Sequence, residues 1–428
     1  SGEVAPLRDA HAAYFLTLAG EAAPHLTGPD AVSWLDRLDA DYDNLRAALH
    51  WLREQNDADR AIQLAAALWR FWWLRGHVSE GREELEGALA IAGATNATAA
   101  RAVALDGAGV LAETQGDYQD AESLHQEALA LSVRSVDTTG IARATGNLGV
   151  VAFVRGDRDK ALSLLEESLT LARDAGDTHL IATALNDLGG VALDRGELAR
   201  AESLYRESLV LRRSMGSGSE IARALNNLGV VAIELGDVDR ACALYEESLS
   251  LYREIGDRWG AAGALTGLAV ATRAGGESTA AMELFQESLD LFQATGDARN
   301  SALALLSLAD VARDVGDFDK SAAYYRDAIA GFEAIDLDTG VADGLAGLAG
   351  VLASEGRFAV AARLLGSADK RLAGESPATI DVSERYRADA ESIQTALGDD
   401  EFTTAWEAGR ELSLGALIAE SSAEPVRG

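Results

Sequence analysis

The sequence predicts an all-α solenoid of about eight stacked helical pairs, and three observations favour this fold. Glycine recurs with a period of 40 residues, a length typical of helical repeat proteins. Hydrophobic residues make up 48% and charged residues 25% of the 428-residue chain, so it can bury a core. All five prolines lie outside residues 30–376, so proline breaks no helix of the repeated region.

Each period contains one glycine at which the chain is expected to turn between two helices. Glycine adopts the left-handed conformation that ends a helix more readily than other residues do. The eight periodic glycines are Gly76, Gly116, Gly156, Gly196, Gly236, Gly276, Gly316 and Gly356. An acidic residue, which can cap the next helix or lie at its positive end, follows six of them: Asp117, Asp157, Glu197, Asp237, Glu277 and Asp317.

Small and bulky residues also recur at fixed positions. The residue five positions after each periodic glycine is small, which would let two helices cross closely. These residues are Gly81, Ala121, Ala161, Ala201, Ala241, Ala281, Ser321 and Ala361. One turn further on the same face comes a bulky residue: Leu85, His125, Leu165, Tyr205, Tyr245, Phe285, Tyr325 and Leu365. Upstream, a Leu-Gly or Leu-Ala pair recurs at 148–149, 188–189, 228–229, 268–269, 308–309 and 348–349.

A second turn separates successive helical pairs, at 176–177, 216–217, 256–257 and 296–297. Each pair should therefore consist of two helices of roughly 16–18 residues, for example about 178–195 and 198–215.

This pattern resembles the tetratricopeptide repeat (TPR), which implies a right-handed superhelix. HEAT repeats have a similar period, but the small residue at the helix crossing and the glycine-acid turn favour the TPR. The usual TPR unit has 34 residues and often ends in proline. Here the period is 40 residues and the second turn contains Gly-Asp, as in residues 147–177, which resemble the longer TPR variant of animal spindle-orientation adaptors.

Both ends of the chain depart from the period, and we expect three regions: an N-terminal helical cap or linker (1–57), the TPR array (58–372) and a C-terminal helical cap (373–428). Before the array we expect a helix near 6–22, a turn at 28–30 and one helix containing Trp34, Leu35, Leu38, Leu45, Leu49 and Trp51. The aromatic residues of 69–73 should seal the N-terminal end of the stack. After a break at 374–377, two or three helices should carry Tyr386, Ile393, Leu397, Phe402, Trp406 and Leu412, with 421–428 frayed.

Short segments near both ends carry a more specific likeness. They are residues 11–15 (HAAYF), 34–38 (WLDRL), 43–49 (DNLRAAL), 68–72 (LWRFW), 361–366 (AARLLG) and 405–410 (AWEAGR). With them the chain resembles, over essentially its whole length, the C-terminal helical region of large bacterial STAND-type signalling ATPases and transcriptional regulators. The resemblance implies that an NTPase module precedes this region and that the helical region receives the signal. The sequence contains no G-x-x-x-x-G-K-[ST] loop, so the NTPase step cannot be assigned to this chain.

The charge balance and the reactive residues argue against several functions. Asp and Glu number 69 against 37 Lys and Arg, a net charge of −32, so this region should repel nucleic acid and anionic membranes. The single cysteine, Cys242, fits a reducing cytoplasm. No histidine has metal-ligand spacing, and His125 should pack in the core. No catalytic constellation occurs, so we expect no enzyme activity, no metal and no cofactor.

The concave surface formed by the first helix of each pair is the predicted binding site, because solenoids use this surface for recognition. The residues expected to project into it are Arg143, Gly146, Val150, Phe153, Thr183, Asn186, Gly190, Arg223, Asn226, Val230, Thr266 and Arg273. Arginine can hold a carboxylate or phosphate, asparagine the backbone of an extended peptide, and valine an apolar side chain. The alternative is that the apolar residues pack between repeats and the polar ones are ordinary surface.

The sequence therefore predicts the sensor region of a STAND-type regulator, whose groove binds a protein, a peptide or a small-molecule inducer. A ligand that bridges several repeats would change their curvature and relay the change to an NTPase module. The alternative function is a stand-alone TPR scaffold that mediates protein–protein interactions. A Walker-type loop encoded upstream would favour the sensor over the scaffold.

Overall fold

The computed structural model describes residues 4–91, 99–372 and 380–422, and the regular secondary structure in these ranges is entirely helical. The α-helices are α1 (Val4–Ala22), α2 (Ala31–Ala40), α3 (Tyr42–Glu54), α4 (Ala58–Arg75), α5 (Val78–Leu89), α6 (Ala99–Thr114), α7 (Tyr118–Ser135), α8 (Thr138–Val154), α9 (Arg158–Ala175), α10 (Thr178–Asp194), α11 (Leu198–Met215), α12 (Gly218–Glu234), α13 (Val238–Ile255), α14 (Arg258–Ala274), α15 (Ser278–Thr295), α16 (Ala298–Asp314), α17 (Phe318–Glu333), α18 (Asp338–Ser354), α19 (Phe358–Leu372), α20 (Ile380–Leu397), α21 (Asp399–Glu411) and α22 (Leu414–Ser422). A 3-10 helix, Ala23–His25, follows α1. The break expected at 374–377, the side chain of Tyr386 and the end at 423–428 lie outside the described residues, whereas residues 421–422, expected to fray, belong to α22.

Helix contacts divide the chain into an N-terminal unit (Ser1–Leu235) and a C-terminal unit (Gly236–Gly428). In the N-terminal unit the pairs α4–α5, α6–α7, α8–α9 and α10–α11 follow one another, and α12 packs against α11. In the C-terminal unit α13 packs against α14, and the pairs α14–α15, α16–α17 and α18–α19 follow. Each unit is therefore an α-solenoid, which confirms the predicted fold class.

The turn inside each pair depends on glycine. All eight periodic glycines have positive φ, between 71° and 88°, the region in which other residues are strained. The aspartates that follow four of them accept a hydrogen bond from the backbone N–H three residues later: Asp117, Asp157, Asp237 and Asp317. Glu197 and Glu277 make no such bond, in keeping with the preference for short side chains at this position. The periodic glycine therefore ends one helix, and aspartate starts the next.

At two of the turns between pairs the residue in the left-handed conformation is not glycine, and the sequence pattern did not identify these turns. Gly176, Gly216, Gly256 and Gly296 all have positive φ. The same left-handed place is taken by Val136, with φ 56°, and by Asp336, with φ 53°. A β-branched residue is particularly strained in this conformation, and Val136 is 83% exposed, so its side chain gains little from packing.

Replacing Val136 by glycine should therefore stabilise the protein, by about 1 kcal/mol, because it removes the left-handed strain and little contact. The reverse exchange at the equivalent turn, Gly176→Val, should destabilise it. The measurement is the urea-unfolding midpoint followed by circular dichroism. A lower midpoint for Val136→Gly would show that the valine is not strained there.

The helices of each pair cross where one side chain is small and its neighbour is bulky. The small residues predicted at this crossing, from Gly81 to Ala361, are all buried. The bulky residues one turn later are at most 4% exposed. A Cβ at Gly189 would lie 2.7 Å from the Tyr205 ring, so the glycine of the Leu-Gly pair makes room for that ring. The small-bulky pattern is therefore the packing pattern of the core.

The single helix expected from Trp34 to Trp51 is wrong, because the chain breaks at Asp41 between α2 and α3. Asp41 has φ −104° and ψ 13°, outside the helical region, and its carboxylate accepts a hydrogen bond from Asn44 Nδ2 at 3.1 Å. Such local side-chain bonds favour a helix start over a helix interior. Helices α1, α2 and α3 then all pack in the neighbourhood of α4.

The aromatic residues of α4 do not act as one seal. Phe71 and Trp72 are buried, and Phe71 packs near the ring of Tyr42 from α3. Trp69 instead faces α6, where a Cβ at Gly107 would lie 2.7 Å from its side chain. Trp73 is 38% exposed. The cluster thus faces both the N-terminal helices and the first helix of the next pair.

The last helices pack on the final pair through two glycines. A Cβ at Gly409 of α21 would lie 1.9 Å from the carbonyl oxygen of Arg363 in α19, and one at Gly366 would lie 2.1 Å from the carbonyl oxygen of Trp406. The two backbones therefore touch directly. At the end of α22, Arg357 donates hydrogen bonds to the carbonyl oxygens of Glu420 and Ser421 at 2.8 and 2.9 Å.

The substitution Gly409→Ala should lower stability by about 1–3 kcal/mol, because the added methyl group would overlap backbone atoms of α19. The control Gly415→Ala, where a Cβ meets no atom within 4 Å, should leave stability unchanged or slightly higher. Urea unfolding of both variants tests this. Equal midpoints would mean that α21 does not pack closely on α19.

Candidate ligand-binding groove

The first helices of successive pairs form one continuous surface in the N-terminal unit. Helix α4 contacts α6, α6 contacts α8, and α8 contacts α10. Between α10 and α12, Asn227 donates a hydrogen bond to Asn186 at 2.9 Å. We call the surface formed by α4, α6, α8, α10 and α12 the inner surface of the N-terminal unit.

Ten of the twelve predicted site residues lie on helices of this surface. Arg143, Gly146, Val150 and Phe153 are on α8, Thr183, Asn186 and Gly190 on α10, and Arg223, Asn226 and Val230 on α12. All are half-buried except Val230, which is 38% exposed. The other two, Thr266 and Arg273, belong to α14 of the C-terminal unit. That these residues bind a ligand remains a prediction.

The two asparagines of the predicted groove are not equivalent. The side chain of Asn186 is fully engaged, because it accepts from Asn227 and donates to Asp187 at 3.2 Å. The Oδ1 atom of Asn226 is enclosed and has no hydrogen-bond partner, and neither has Nε of Arg223 one turn earlier. Buried polar atoms are rarely left without partners. Asn226 and Arg223 are therefore the better candidates for holding a ligand.

A carboxylate lies beside this pair. Burial raises the pKa of Asp187, while the charges of Arg223 and Arg212 and the hydrogen bond from Asn186 oppose the shift. This part of the inner surface thus combines an amide, a guanidinium and a carboxylate, and it can offer both donors and acceptors to a polar ligand.

Arg143 is held by a buried network. Its Nε donates to Asp106 at 2.7 Å, and the other oxygen of Asp106 lies 3.0 Å from Nδ1 of His125. On the far side, Nε2 of His125 lies 2.8 Å from Glu113. A Cβ at Gly109 would lie 2.5 Å from the imidazole, so that glycine makes room for His125 in the core. His125 is therefore a core residue, as predicted, but one that orients charged groups.

The network keeps His125 protonated. Burial disfavours the imidazolium, but the hydrogen bonds with Asp106 and Glu113 outweigh burial and raise the pKa of His125 to about 9. The side chain is fully buried, so screening by solvent is weak. The charge of His125 thus balances the carboxylate that holds Arg143.

The stability contributed by this histidine should depend on pH. Because the folded pKa of about 9 exceeds the ordinary value of 6.5, the contribution is complete below pH 6.5 and is lost as the pH rises through 9. The variant His125→Leu, with the residue that Leu85 and Leu165 supply in other repeats, should lack this dependence. Thermal unfolding between pH 6.5 and 9 measures it.

The matched control is His50→Gln, which removes a histidine from the exposed face of α3. It should retain the wild-type dependence on pH. If His125→Leu lost stability with pH as steeply as the wild-type protein does, the charged form of His125 would not be stabilising the fold.

Sequence reasoning missed a second buried network, at the starts of α10 and α12. Arg212 is fully buried and forms an ion pair with Glu220 at 2.8 Å, and Glu220 lies 3.6 Å from His179. Burial opposes ionisation of Glu220, but His179, Arg212 and Arg223 lower its pKa to about 2. The signal was available, because Arg212 occupies the repeat position that Ala172, Tyr252 and Phe292 hold elsewhere.

A second residue that was missed is Arg70 of α4. It stands at the repeat position of the predicted site residues Val150, Gly190 and Val230. Applying the same 40-residue spacing to the first helical pair would have identified it. Its Nη2 lies 3.4 Å from Nε2 of His179 on α10. Arg70 also lines a cavity of about 150 Å³ together with Arg143.

The two predicted residues of the C-terminal unit make internal contacts. The hydroxyl of Thr266 donates to the carbonyl oxygen of Ala262 at 3.0 Å and lies 2.8 Å from the hydroxyl of Ser288. Arg273 forms an ion pair with Asp314 at 2.6 Å. Both side chains therefore stabilise the solenoid, and they offer less to a ligand than Asn226 and Arg223 do.

The described residues contain no cluster of three or more His, Cys, Asp or Glu side chains that could hold a metal ion. Cys242 is half-buried, and burial raises the pKa of its thiol, which disfavours the reactive thiolate. Among the helices that the structure describes, none is long and apolar enough to cross a bilayer.

Comparison with family models supports the repeat assignment. Residues 140–214 and 220–294 match one model described as tetratricopeptide repeat, and residues 101–137 match a second model with the same description. The chain therefore contains tetratricopeptide repeats. No curated protein matches it.

Several solved structures are similar in fold. A Rap protein complexed with competence and sporulation factor is 12% identical, with a TM-score of 0.58 over 87% of this chain and 97% of that chain. The apo form of the quorum sensor NprR from B. thuringiensis is 15% identical, with a TM-score of 0.55 over 88% and 98% of the two chains.

A signal transduction ATPase with numerous domains (STAND) that has a tetratricopeptide repeat sensor, from Pyrococcus horikoshii, is 13% identical, with a TM-score of 0.57. The alignment covers 88% of this chain and 54% of that protein. At such identities these likenesses show the fold alone.

Proposed function

We propose that this chain is the sensor region of a STAND-type signalling protein and that the inner surface of the N-terminal unit binds its ligand, a protein, a peptide or a small-molecule inducer. The observation that carries the proposal is that three of the predicted site residues on this surface each have an enclosed polar atom without a hydrogen-bond partner: Nη2 of Arg143, Nε of Arg223 and Oδ1 of Asn226. An unsatisfied buried polar atom costs about 1–3 kcal/mol. A ligand that supplies the missing partners recovers that free energy.

The tetratricopeptide repeats support a binding role, because solenoids recognise partners through extended surfaces. The fold of this chain is similar to that of a Rap protein complexed with competence and sporulation factor and to that of a STAND protein with a tetratricopeptide repeat sensor. This likeness in fold favours a signalling role. The short segments at both ends of the chain that resemble STAND regulators add to it.

The repeats also supply a mechanism. Each helical pair contacts mainly its neighbours, so a ligand that touches several pairs changes their relative orientation. A ligand seated on Arg143 of α8 and Asn226 of α12 would bridge three first helices. The resulting change in curvature would pass along the solenoid to a module joined to it.

The substitution Asn226→Asp should abolish ligand binding, because the new carboxylate would pair with Arg223 in place of the ligand. The matched control is Gln126→Glu, the same change from amide to carboxylate on the exposed face of α7. The 428-residue chain is immobilised and exposed to a lysate of its source, and the retained molecules are identified by mass spectrometry. We expect the wild type and the control to retain a molecule that Asn226→Asp loses.

Retention of the same molecules by all three proteins would exclude this surface as the site. The signalling role has a separate test, which is nucleotide turnover by the full-length protein with and without the retained molecule. Turnover that does not respond to it would leave a stand-alone scaffold.

A further inference from the structure

A cavity lies beside Arg70 on the inner surface. Its volume is about 150 Å³, and four helical segments contribute to its wall. The lining residues are Ala23 of the 3-10 helix, Ala66, Ala67, Trp69 and Arg70 of α4, Val103 of α6 and Arg143 of α8. Two guanidinium groups thus line a space that is otherwise formed by alanine, valine and tryptophan.

The segment after α1 covers part of the inner surface next to this cavity. Ala23 forms part of its wall. Further along the same segment, Pro29 lies against the turn between α11 and α12, where a Cβ at Gly216 would be 3.4 Å from Pro29 Cβ. The N-terminal segment therefore shields the cavity from bulk water on one side, and shielding strengthens electrostatic interactions inside it.

Arg70 has no carboxylate partner. Its guanidinium lies over the ring of Trp69, 5.0 Å from the centroid, and its hydrogen-bond neighbour is Nε2 of His179 at 3.4 Å. Among the described residues it forms no ion pair with an acidic side chain, and the nearby carboxylate of Glu220 lies 3.6 Å from Nδ1 of the same histidine. Burial lowers the pKa of Arg70. Among the neighbouring charges, that of Glu220, which raises the pKa, acts more strongly than that of Arg143, which lowers it, and Asp177 also raises it.

An arginine without an ion pair is unexpected in this position. The chain has 69 acidic residues against 37 basic ones, so carboxylates are plentiful. Arg212, which is fully buried, has Glu220 at 2.8 Å, and Arg82 lies within 3.0 Å of three carboxylates. A cation removed from water requires a counter-charge. At Arg70 no described carboxylate forms a direct ion pair, and Glu220 acts on it from the far side of His179.

Arg143 lines the same cavity and has one donor without a partner. Its Nε is committed to Asp106, which His125 holds in place, but Nη2 is enclosed and has no hydrogen-bond partner. The ion pair with Asp106 therefore orients the guanidinium and leaves one terminal amino group without a hydrogen-bond partner. Arginine groups in this arrangement bind the oxygens of carboxylates and phosphates with strong, charge-assisted hydrogen bonds.

We infer that this cavity is a subsite for a small oxyanion, a phosphate or carboxylate group, held between Arg70 and Arg143 with Trp69 against its apolar side. The inference rests on the proposed function and specifies which chemical group the ligand presents at the α4 end of the inner surface. The volume suits one such group and a short apolar extension. A cationic ligand would be repelled by both guanidinium groups.

The test uses the 428-residue chain with inorganic phosphate and with acetate as separate probes, at constant ionic strength with chloride as the reference anion. Binding is measured by calorimetry and by the rise in unfolding temperature. The variant Arg70→Gln should bind the effective probe at least about tenfold more weakly. The control Arg134→Gln, on the exposed face of α7, should bind it as the wild type does.

A response to phosphate but not to acetate would identify the group as a phosphate, and the opposite response would identify a carboxylate. Without added oxyanion, Arg70→Gln should unfold at the wild-type temperature or above, because it removes a half-buried charge that has no direct ion pair. The inference would be overturned by a wild-type chain that responds to neither probe. It would also be overturned if Arg70→Gln bound the effective probe like the wild type or unfolded at a clearly lower temperature without it.

These outcomes are separable from those of the proposed function. If the chain retains a partner through Asn226 but binds neither phosphate nor acetate, the result supports the sensor role and excludes the oxyanion subsite. If the chain binds phosphate at Arg70 but Asn226→Asp does not change the molecules it retains, the result supports the oxyanion subsite and excludes the proposed ligand contact at Asn226.

Discussion

The close crossing of helices within and between repeats is the constraint on which the structure depends, since no helical pair can bury its apolar face alone. Where a bulky side chain such as Tyr205 enters the core, glycine or alanine must face it, and a Cβ at Gly189 would lie 2.7 Å from that ring. The left-handed glycines then return the chain within two or three residues, so that successive helices remain in contact. Small residues and turn glycines thus set the spacing of the inner surface.

The N-terminal unit departs from this apolar pattern at positions that otherwise carry core residues. His125 stands where other repeats place leucine or an aromatic ring, and Arg212 stands where they place alanine or an aromatic ring. Each is buried and held by carboxylates, His125 by Asp106 and Glu113, and Arg212 by Glu220. A buried charge is costly without a partner. At these two positions the chain therefore loses an apolar core contact, and the buried charge that replaces it fixes the positions of charged groups on the inner surface.

The networks also separate structural residues from candidate ligand-binding residues. Asn186, Thr266 and Arg273 are engaged by neighbouring side chains or backbone atoms, so they contribute to the solenoid. Arg143, Arg223 and Asn226 each have an enclosed polar atom without a partner, and Arg70 has a histidine, not a carboxylate, as its hydrogen-bond neighbour. Their partners are therefore best sought in a ligand.

The sequence by itself determined the helical repeat, its 40-residue period, the turn glycines and the small-bulky core, because these follow from local conformation and from contacts that recur in every repeat. It also placed Arg223 and Asn226 on the inner surface. Only the tertiary structure decided that Asn186 is engaged and Asn226 is not, and that Arg70 lines one cavity with Arg143 and lies beside His179. These features depend on contacts between residues far apart in the chain, and such contacts leave no periodic signal.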